Sequence, residues 1–175
     1  MTRSKPNILI TGTPGVGKSN LCQEIVKQIE GYEWIEIGEL AKKHNFFDSY
    51  DPEYESHVLN EDKLLDELEP RMNEGGKILD YHGCDMFPER WIDQVYVLRA
   101  KTEFLFDRLS ARGYNKKKLD ENIQCEIFQM LLDEANDSYD PSIVKELQSN
   151  DDDDAAKNIT TIVGFLQDWS SKNSS

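Results

Sequence analysis

The stretch ITGTPGVGKSN, residues 10–20, places three glycines and a proline between an apolar run and a segment of helical periodicity. Within it Gly12, Gly17, Lys18 and Ser19 complete the pattern G-x-x-x-x-G-K-[ST]. Glycine takes up positive φ at little steric cost, so a loop built on Gly12, Gly15 and Gly17 can curl until successive backbone N–H groups point at one anion. A helix beginning near Lys18 adds its free N–H groups and the positive end of its dipole. Lys18 then reaches the β- and γ-phosphates as a point charge, and the Ser19 hydroxyl takes one coordination position on Mg²⁺. The alternative is a plain turn between a strand and a helix. Against it, Asn7-Ile8-Leu9-Ile10-Thr11 reads as a buried strand, and Leu21, Ile25 and Ile29 recur at helical spacing. An accidental match arises in roughly one chain in a hundred of this length. The stretch is read as a phosphate-binding loop.

A chain of 175 residues holds one well-cored domain, so residues 1–175 are read as a single unit. Hydrophobic content of 38% with 31% charged residues is ordinary for a globular protein. The net charge of −14 argues against broad attraction to nucleic acid or to anionic membrane, while leaving room for a local anion site. Cys22, Cys84 and Cys125 are scattered and lack metal-like spacing, as reduced thiols in an intracellular protein would be. The apolar run near the N-terminus is too short for a signal-peptide core, and no segment approaches the roughly twenty apolar residues of a membrane span. A cytosolic or nuclear location is therefore expected. Lys116-Lys117-Lys118 reads as a solvated loop in preference to an import signal.

Strand and helix signals alternate along the chain. After the phosphate loop and a helix to about Ile29 come EWIEIG (33–38) as a strand and ELAKKHN (39–45) as a short helix. FFDSYDPEYESH (46–57), aromatic, acidic and broken by Pro52, reads as an excursion from the core. Leu64, Leu65, Leu68 and Met72 mark a helix ending at Gly75-Gly76, which Pro70 is expected to break or kink. KILDYHG (77–83) and QVYVLR (94–99) read as strands, Thr102 to Arg112 as a helix, and Leu119 to Leu131 as part of one longer helix. SIVKEL (142–147) is open to a last strand or a helical turn. Ile159, Ile162, Val163, Leu166 and Trp169 define a closing amphipathic helix. This order predicts an α/β fold, a parallel sheet covered by helices on both faces, with ligand at the carboxyl ends of the strands.

A nucleotide site needs a carboxylate near the phosphate loop to orient Mg²⁺ through its water shell, and Asp80 ends an apolar strand in the required way. The DYHG that follows also matches the D-x-x-G of GTPases, but the nearest base reader, Asn115-Lys116-Lys117-Lys118, carries lysine where guanine recognition requires aspartate. Guanine specificity loses its main support. Arg108 and Arg112, four apart, share a helix face and are candidates for holding the charge of a moving phosphoryl group, with a surface arginine pair as the alternative. Arg90 is a candidate for the phosphate of a second nucleotide. His82, two residues beyond Asp80, is a candidate for positioning a water or the Asp80 carboxylate, against a plain turn histidine.

GTPGVGKS (12–19), DYHGCDMFPERW (80–91), RLSARGYNKKKL (108–119) and ENIQCEIFQMLLDEA (121–135), in this order and spacing, resemble the adenylate kinase isoenzyme 6 family, known also as the coilin-interacting nuclear ATPase. The resemblance runs from about Pro6 to Trp169; the acidic run Asp151 to Asp154 and the Ser-rich end at 170–175 stand apart from it. It implies a P-loop NTPase of the adenylate-kinase type: a five-stranded parallel sheet, a monophosphate-binding region at about 35–57 and a short lid at about 108–118. It also implies ATP bound at Gly12, Thr13, Pro14, Gly15, Val16, Gly17, Lys18, Ser19 and Asn20, Arg112 as the lid arginine, and Mg²⁺ at Ser19 and Asp80. Asp80 and His82 fall on the motif associated with the family's ATPase activity. Gly38, Lys42, Gly83 and Arg90 are assigned to the monophosphate. The activity implied is phosphoryl transfer from ATP to AMP, with some use of CMP or dCMP, accompanied by slow ATP hydrolysis; the alternative is a nucleotide-gated binding protein for a ribosomal partner with little turnover, against which Lys18, Asp80 and Arg112 together argue. The resemblance further implies a nuclear and cytoplasmic protein of small ribosomal subunit maturation, monomeric, with a small-subunit ribosomal protein as partner and no direct nucleic-acid binding outside a pre-ribosomal particle. Ordinary adenylate kinases carry an arginine where this chain has GELAKK (38–43), and further arginines where it has NKKKLDENIQ (115–124). Lysine is a point donor and not a fork, so kinase turnover is expected to be modest relative to hydrolysis.

Overall fold

Ile8, Leu9, Ile10 and Thr11 are all fully buried, as a strand covered on both faces requires, and they form β1 (Ile8–Thr11), the centre of the sheet. The computed structural model of the chain describes residues 3–173. Ser174 and Ser175, part of the Ser-rich end, lie outside the described residues. From β1 the chain passes through α1 (Lys18–Gln28) to β2 (Glu33–Glu36), then α2 (Ile37–His44), a hairpin of β3 (Phe47–Asp51) and β4 (Ser56–Leu59), and α3 (Glu61–Glu74). It returns as β5 (Lys77–Asp80), crosses to β6 (Gln94–Arg99), and continues through α4 (Thr102–Ala111), α5 (Lys116–Ile127), α6 (Met130–Ser138), β7 (Val144–Gln148) and α7 (Asp152–Asn173).

The five-stranded sheet has the order β2-β5-β1-β6-β7, and every pairing in it is parallel. The chain fills one side of β1 first and the other side afterwards, so the connections leaving β1 and β5 diverge and open a crevice at their carboxyl ends. Two apolar layers cover the sheet. One gathers Leu64, Leu68 and Met72 of α3 with Trp91 and Tyr139; the other gathers Leu21 and Ile25 of α1, Leu105 and Leu109 of α4, and Ile162 and Leu166 of α7.

Three local readings are corrected or settled. Pro70 does not break α3, which runs unbroken from Glu61 to Glu74. Its buried Leu64, Leu68 and Met72 hold the helix on the sheet on both sides of the missing N–H. The helix read as continuous from Leu119 to Leu131 is two helices, divided where Gln129 takes a left-handed φ of 54°. SIVKEL contributes the edge strand β7. The acidic run has a local explanation: Asp151 accepts from the Asp154 N–H at 2.8 Å, and Asp152 to Asp154 fill the first turn of α7. There their charge faces the positive end of the helix dipole.

Asn7 locks the other end of the sheet. Its fully buried amide donates to the Met72 carbonyl at 2.8 Å and the Trp91 carbonyl at 2.9 Å, and accepts from the Lys77 N–H at 3.1 Å. Asn7→Ala leaves three backbone groups without that partner. It is expected to lower stability by at least about 3 kcal/mol, read as a shift in the midpoint of urea unfolding with an unchanged slope.

Candidate functional site: a phosphate loop between two cavities

Gly12 sits where the loop leaves β1. It has φ 145°, and a Cβ there would lie 2.7 Å from the Leu98 carbonyl oxygen of β6, so only glycine lets the loop rest on that strand. At Gly15, φ 93°, a Cβ would meet the Leu109 side chain at 2.9 Å. The loop thus wraps the Lys18 side chain, whose Nζ donates to the Gly12 carbonyl at 2.7 Å and the Thr13 carbonyl at 3.2 Å. Desolvation lowers the Lys18 pKa to about 8, with the Asp80 carboxylate opposing the shift. The ammonium stays largely protonated at neutral pH.

Asp80 ends β5 in register with Ile10 of β1, which brings it beside the loop. It is only 2% exposed. Its Oδ2 accepts from Ser19 Oγ at 2.9 Å and Trp34 Nε1 at 3.1 Å. Burial raises its pKa, and the Ser19 bond and Lys18 charge counter that effect. A hydroxyl and a carboxylate held together beside a phosphate loop fit Mg²⁺, which binds few protein ligands and keeps waters and phosphate oxygens. Ser19 would hold the ion directly and Asp80 through water. When bound, the ion would neutralise charge on the β- and γ-phosphates.

A cavity of about 390 Å³ opens over these groups, lined on the sheet side by Lys18, Ser19, Asp80, Tyr81 and His82. Pro14 and Gly15 of the loop, Glu36 and Gly38 of the β2–α2 junction, Tyr54 and Ser56 of the hairpin, and Arg112, Tyr114, Lys118, Glu121 and Asn122 complete its wall. Glu36 caps α2 by accepting from the Gly38 and Glu39 N–H groups. The hairpin closes against the start of α5: Asn115 Nδ2 donates to Glu55 Oε1 at 2.6 Å, Lys118 Nζ donates to the Glu55 carbonyl at 3.2 Å, and Lys117 pairs with Glu53. The His82 ring lies against Tyr81, with ring centroids 4.3 Å apart, while its carbonyl accepts from the Thr11 hydroxyl at 3.0 Å. His82 is exposed at the residue level, yet desolvation by the surrounding cavity wall, aided by the Lys18 and Lys118 charges, holds its pKa down to about 4. The ring is neutral at physiological pH.

A second cavity, about 520 Å³, lies on the other side of the loop, lined by Gly15, Val16, Gly17, Asn20, Arg108, Arg112, Ser149, Asn150 and Asn158 among others. Gly15 and Arg112 border both cavities. Arg108, paired with Arg112 in the sequence reading, is occupied differently. Its guanidinium donates to the carbonyls of Gly15 at 3.3 Å, Ser149 at 3.0 Å and Asn150 at 2.9 Å, bracing the loop against the β7–α7 connection. Arg90 and Lys42 stand outside both cavity walls, paired with Glu69 at 2.8 Å and Glu39 at 3.6 Å respectively. Gly83 is beside the Tyr81 ring and lines neither cavity. Sequence reasoning missed Trp34, Glu36, Tyr54, Ser56 and Asn122. The period-2 alternation of β2 puts Trp34 and Glu36 on one face, but only the pairing of β2 with β5 brings that face to Asp80.

The family described as an AAA domain matches residues 8–129. Among curated relatives, the adenylate kinase isoenzyme 6 homolog of Drosophila melanogaster is 49% identical over 168 residues, covering 96% of this chain and 95% of its own. That of Caenorhabditis elegans is 49% identical, covering 92% and 89%. The chain belongs to the adenylate kinase isoenzyme 6 family. The family extends to the Saccharomyces cerevisiae homolog FAP7, 44% identical over 95% of this chain and 85% of its own. In fold, this adenylate kinase isoenzyme 6 relative resembles a shikimate kinase from Bacteroides thetaiotaomicron, with TM-score 0.58 and 14% identity over 93% of this chain and 98% of the other. Membership makes it a P-loop nucleotide kinase.

Lys18→Ala removes the ammonium around which the loop is wrapped. Turnover is expected to fall at least about a hundredfold, roughly 3 kcal/mol of transition-state stabilisation. Steady-state kinetics on a variant with an unchanged circular dichroism spectrum checks it.

Proposed function

We propose that the protein transfers the γ-phosphoryl group of ATP to AMP, with some use of CMP or dCMP, and that it also hydrolyses ATP slowly. The observation that carries this reading is the pair of cavities meeting at Gly15 and Arg112. A donor nucleotide with its base side in the larger cavity runs its phosphates over the loop toward Lys18. An acceptor in the smaller cavity, against Glu36, Gly38 and Tyr54, meets it there. In-line transfer spreads negative charge over the moving group, and Lys18 and Arg112, both in the wall of the smaller cavity, are the cations available to hold it.

Hydrolysis uses the same loop with water as nucleophile. Neutral His82, beside Asp80 and open to the cavity, can accept a hydrogen bond from that water at one nitrogen. The resemblance to the family supports a role in small ribosomal subunit maturation, in nucleus and cytoplasm, as a monomer acting on a small-subunit ribosomal protein. The net charge of −14 favours such a basic partner over nucleic acid.

Adding AMP should accelerate ADP formation and yield two ADP per ATP consumed. If AMP changes neither rate nor stoichiometry, the kinase reading fails and hydrolysis stands alone. His82→Gly should lower hydrolysis proportionally more than AMP-dependent transfer, because AMP brings its own phosphate for positioning and a water does not. Equal losses in both activities would assign His82 to the Asp80 region in general.

A further inference from the structure

Glu126 is 3% exposed although it lies one residue from the end of α5 and precedes Ile127, which is 51% exposed. Its carboxylate is fully engaged. Oε1 accepts from Thr13 Oγ1 at 3.0 Å, and Oε2 accepts from the Ala100 N–H at 2.8 Å and Arg99 Nε at 3.0 Å. Arg99 also donates from Nη2 to the Glu126 carbonyl at 2.9 Å. A buried ion pair of this kind contributes little stability that well-packed apolar residues could not match. What it supplies is geometry, since one carboxylate joins the end of β6, the helix α5 and the phosphate loop.

Thr13 is where that geometry reaches the loop. It is fully buried, and its carbonyl accepts from Lys18 Nζ and from the Val16 N–H, each at 3.2 Å. Its hydroxyl and its carbonyl thus link Glu126 to Lys18 through a single residue. We infer that Glu126 is a positioning residue for Lys18: through the Thr13 hydroxyl it fixes the carbonyl face on which the ammonium rests, and so sets where that ammonium meets the phosphates. The same carboxylate registers α5, which carries Lys118 and Asn122 at the cavity wall, against the loop. The inference rests on the reading of Lys18 as the phosphate ligand.

The test compares the full chain with Thr13→Val, which keeps the shape and removes the hydroxyl, Thr13→Ser, which restores it, Glu126→Gln and the Thr13→Val/Glu126→Gln double variant. With ATP and AMP, Thr13→Val should lose about tenfold in kcat with KM for ATP changed less than about twofold, because misplacement of Lys18 is felt mainly in the transition state. Thr13→Ser should recover to within about twofold, and the double variant should lose no more than about the worse single variant, as expected for groups acting in one chain. Unchanged kcat in Thr13→Val, no recovery in Thr13→Ser, or additive losses would each overturn the inference. If Glu126→Gln does not fold, the two Thr13 variants decide. The β-phosphate ³¹P resonance of bound ADP supplies a readout without turnover: it should move in Thr13→Val and return in Thr13→Ser, and an unmoved resonance counts against the inference. A wild-type chain with no AMP-stimulated ADP formation would overturn the kinase reading, and the ³¹P series would still decide the role of Glu126.

Discussion

Where the chain leaves β1, the backbone of Gly12 rests on the Leu98 carbonyl of β6, so closely that a Cβ would stand 2.7 Å from that oxygen. Most of the site depends on this contact. A loop held off the sheet by a side chain could not fold back far enough for its Gly12 and Thr13 carbonyls to receive the Lys18 ammonium. Because β1 lies between β5 and β6 in parallel register, the same level of the sheet delivers Asp80 from the other neighbour, where it takes the Ser19 hydroxyl bond. The phosphate loop, its lysine and its carboxylate are thereby set by strand register.

The charges at this level are balanced against burial. Desolvation lowers the pKa of Lys18 and raises that of Asp80, and each group's charge opposes the shift of the other. The ammonium donates to the Gly12 and Thr13 carbonyls. An ammonium has three N–H donors, so one is left for a phosphate oxygen while the two carbonyls keep it in place. The molecule as a whole is strongly acidic, yet Lys18, Arg112 and Lys118 converge on one cavity. Local placement, not net charge, decides what this surface attracts.

The outer wall of that cavity is assembled from distant segments. The tip of the β3–β4 hairpin bonds to Asn115 and Lys118 at the start of α5, so two excursions from the sheet support each other where neither has a core of its own. At the other end of α5, Glu126 ties the helix to the loop and to β6. The left-handed turn at Gln129 follows at once. Between those two anchorages α5 presents Lys118, Glu121 and Asn122 inward.

Much of this was legible in the amino-acid sequence because it depends on local chemistry. Glycine spacing determined a phosphate loop, apolar periodicity determined the strands and most helices, and strand-end position singled out Asp80. Long-range packing overrode a local rule in α3, which passes through Pro70 because three buried side chains hold it to the sheet, and the helix after Leu119 divides at Gln129, just beyond the Glu126 bonds to Arg99 and Thr13. Arg108 and Arg112 look equivalent at a spacing of four residues, yet one braces backbone carbonyls and the other borders both cavities. Arg90 and Lys42 carry suitable charge and find partners elsewhere. The sequence by itself determined which backbone can curl around a phosphate, because φ preferences and periodicity are properties of neighbouring residues. Only the tertiary structure decided which side chains face that phosphate, because this depends on how strands and helices far apart in the chain are registered against one another.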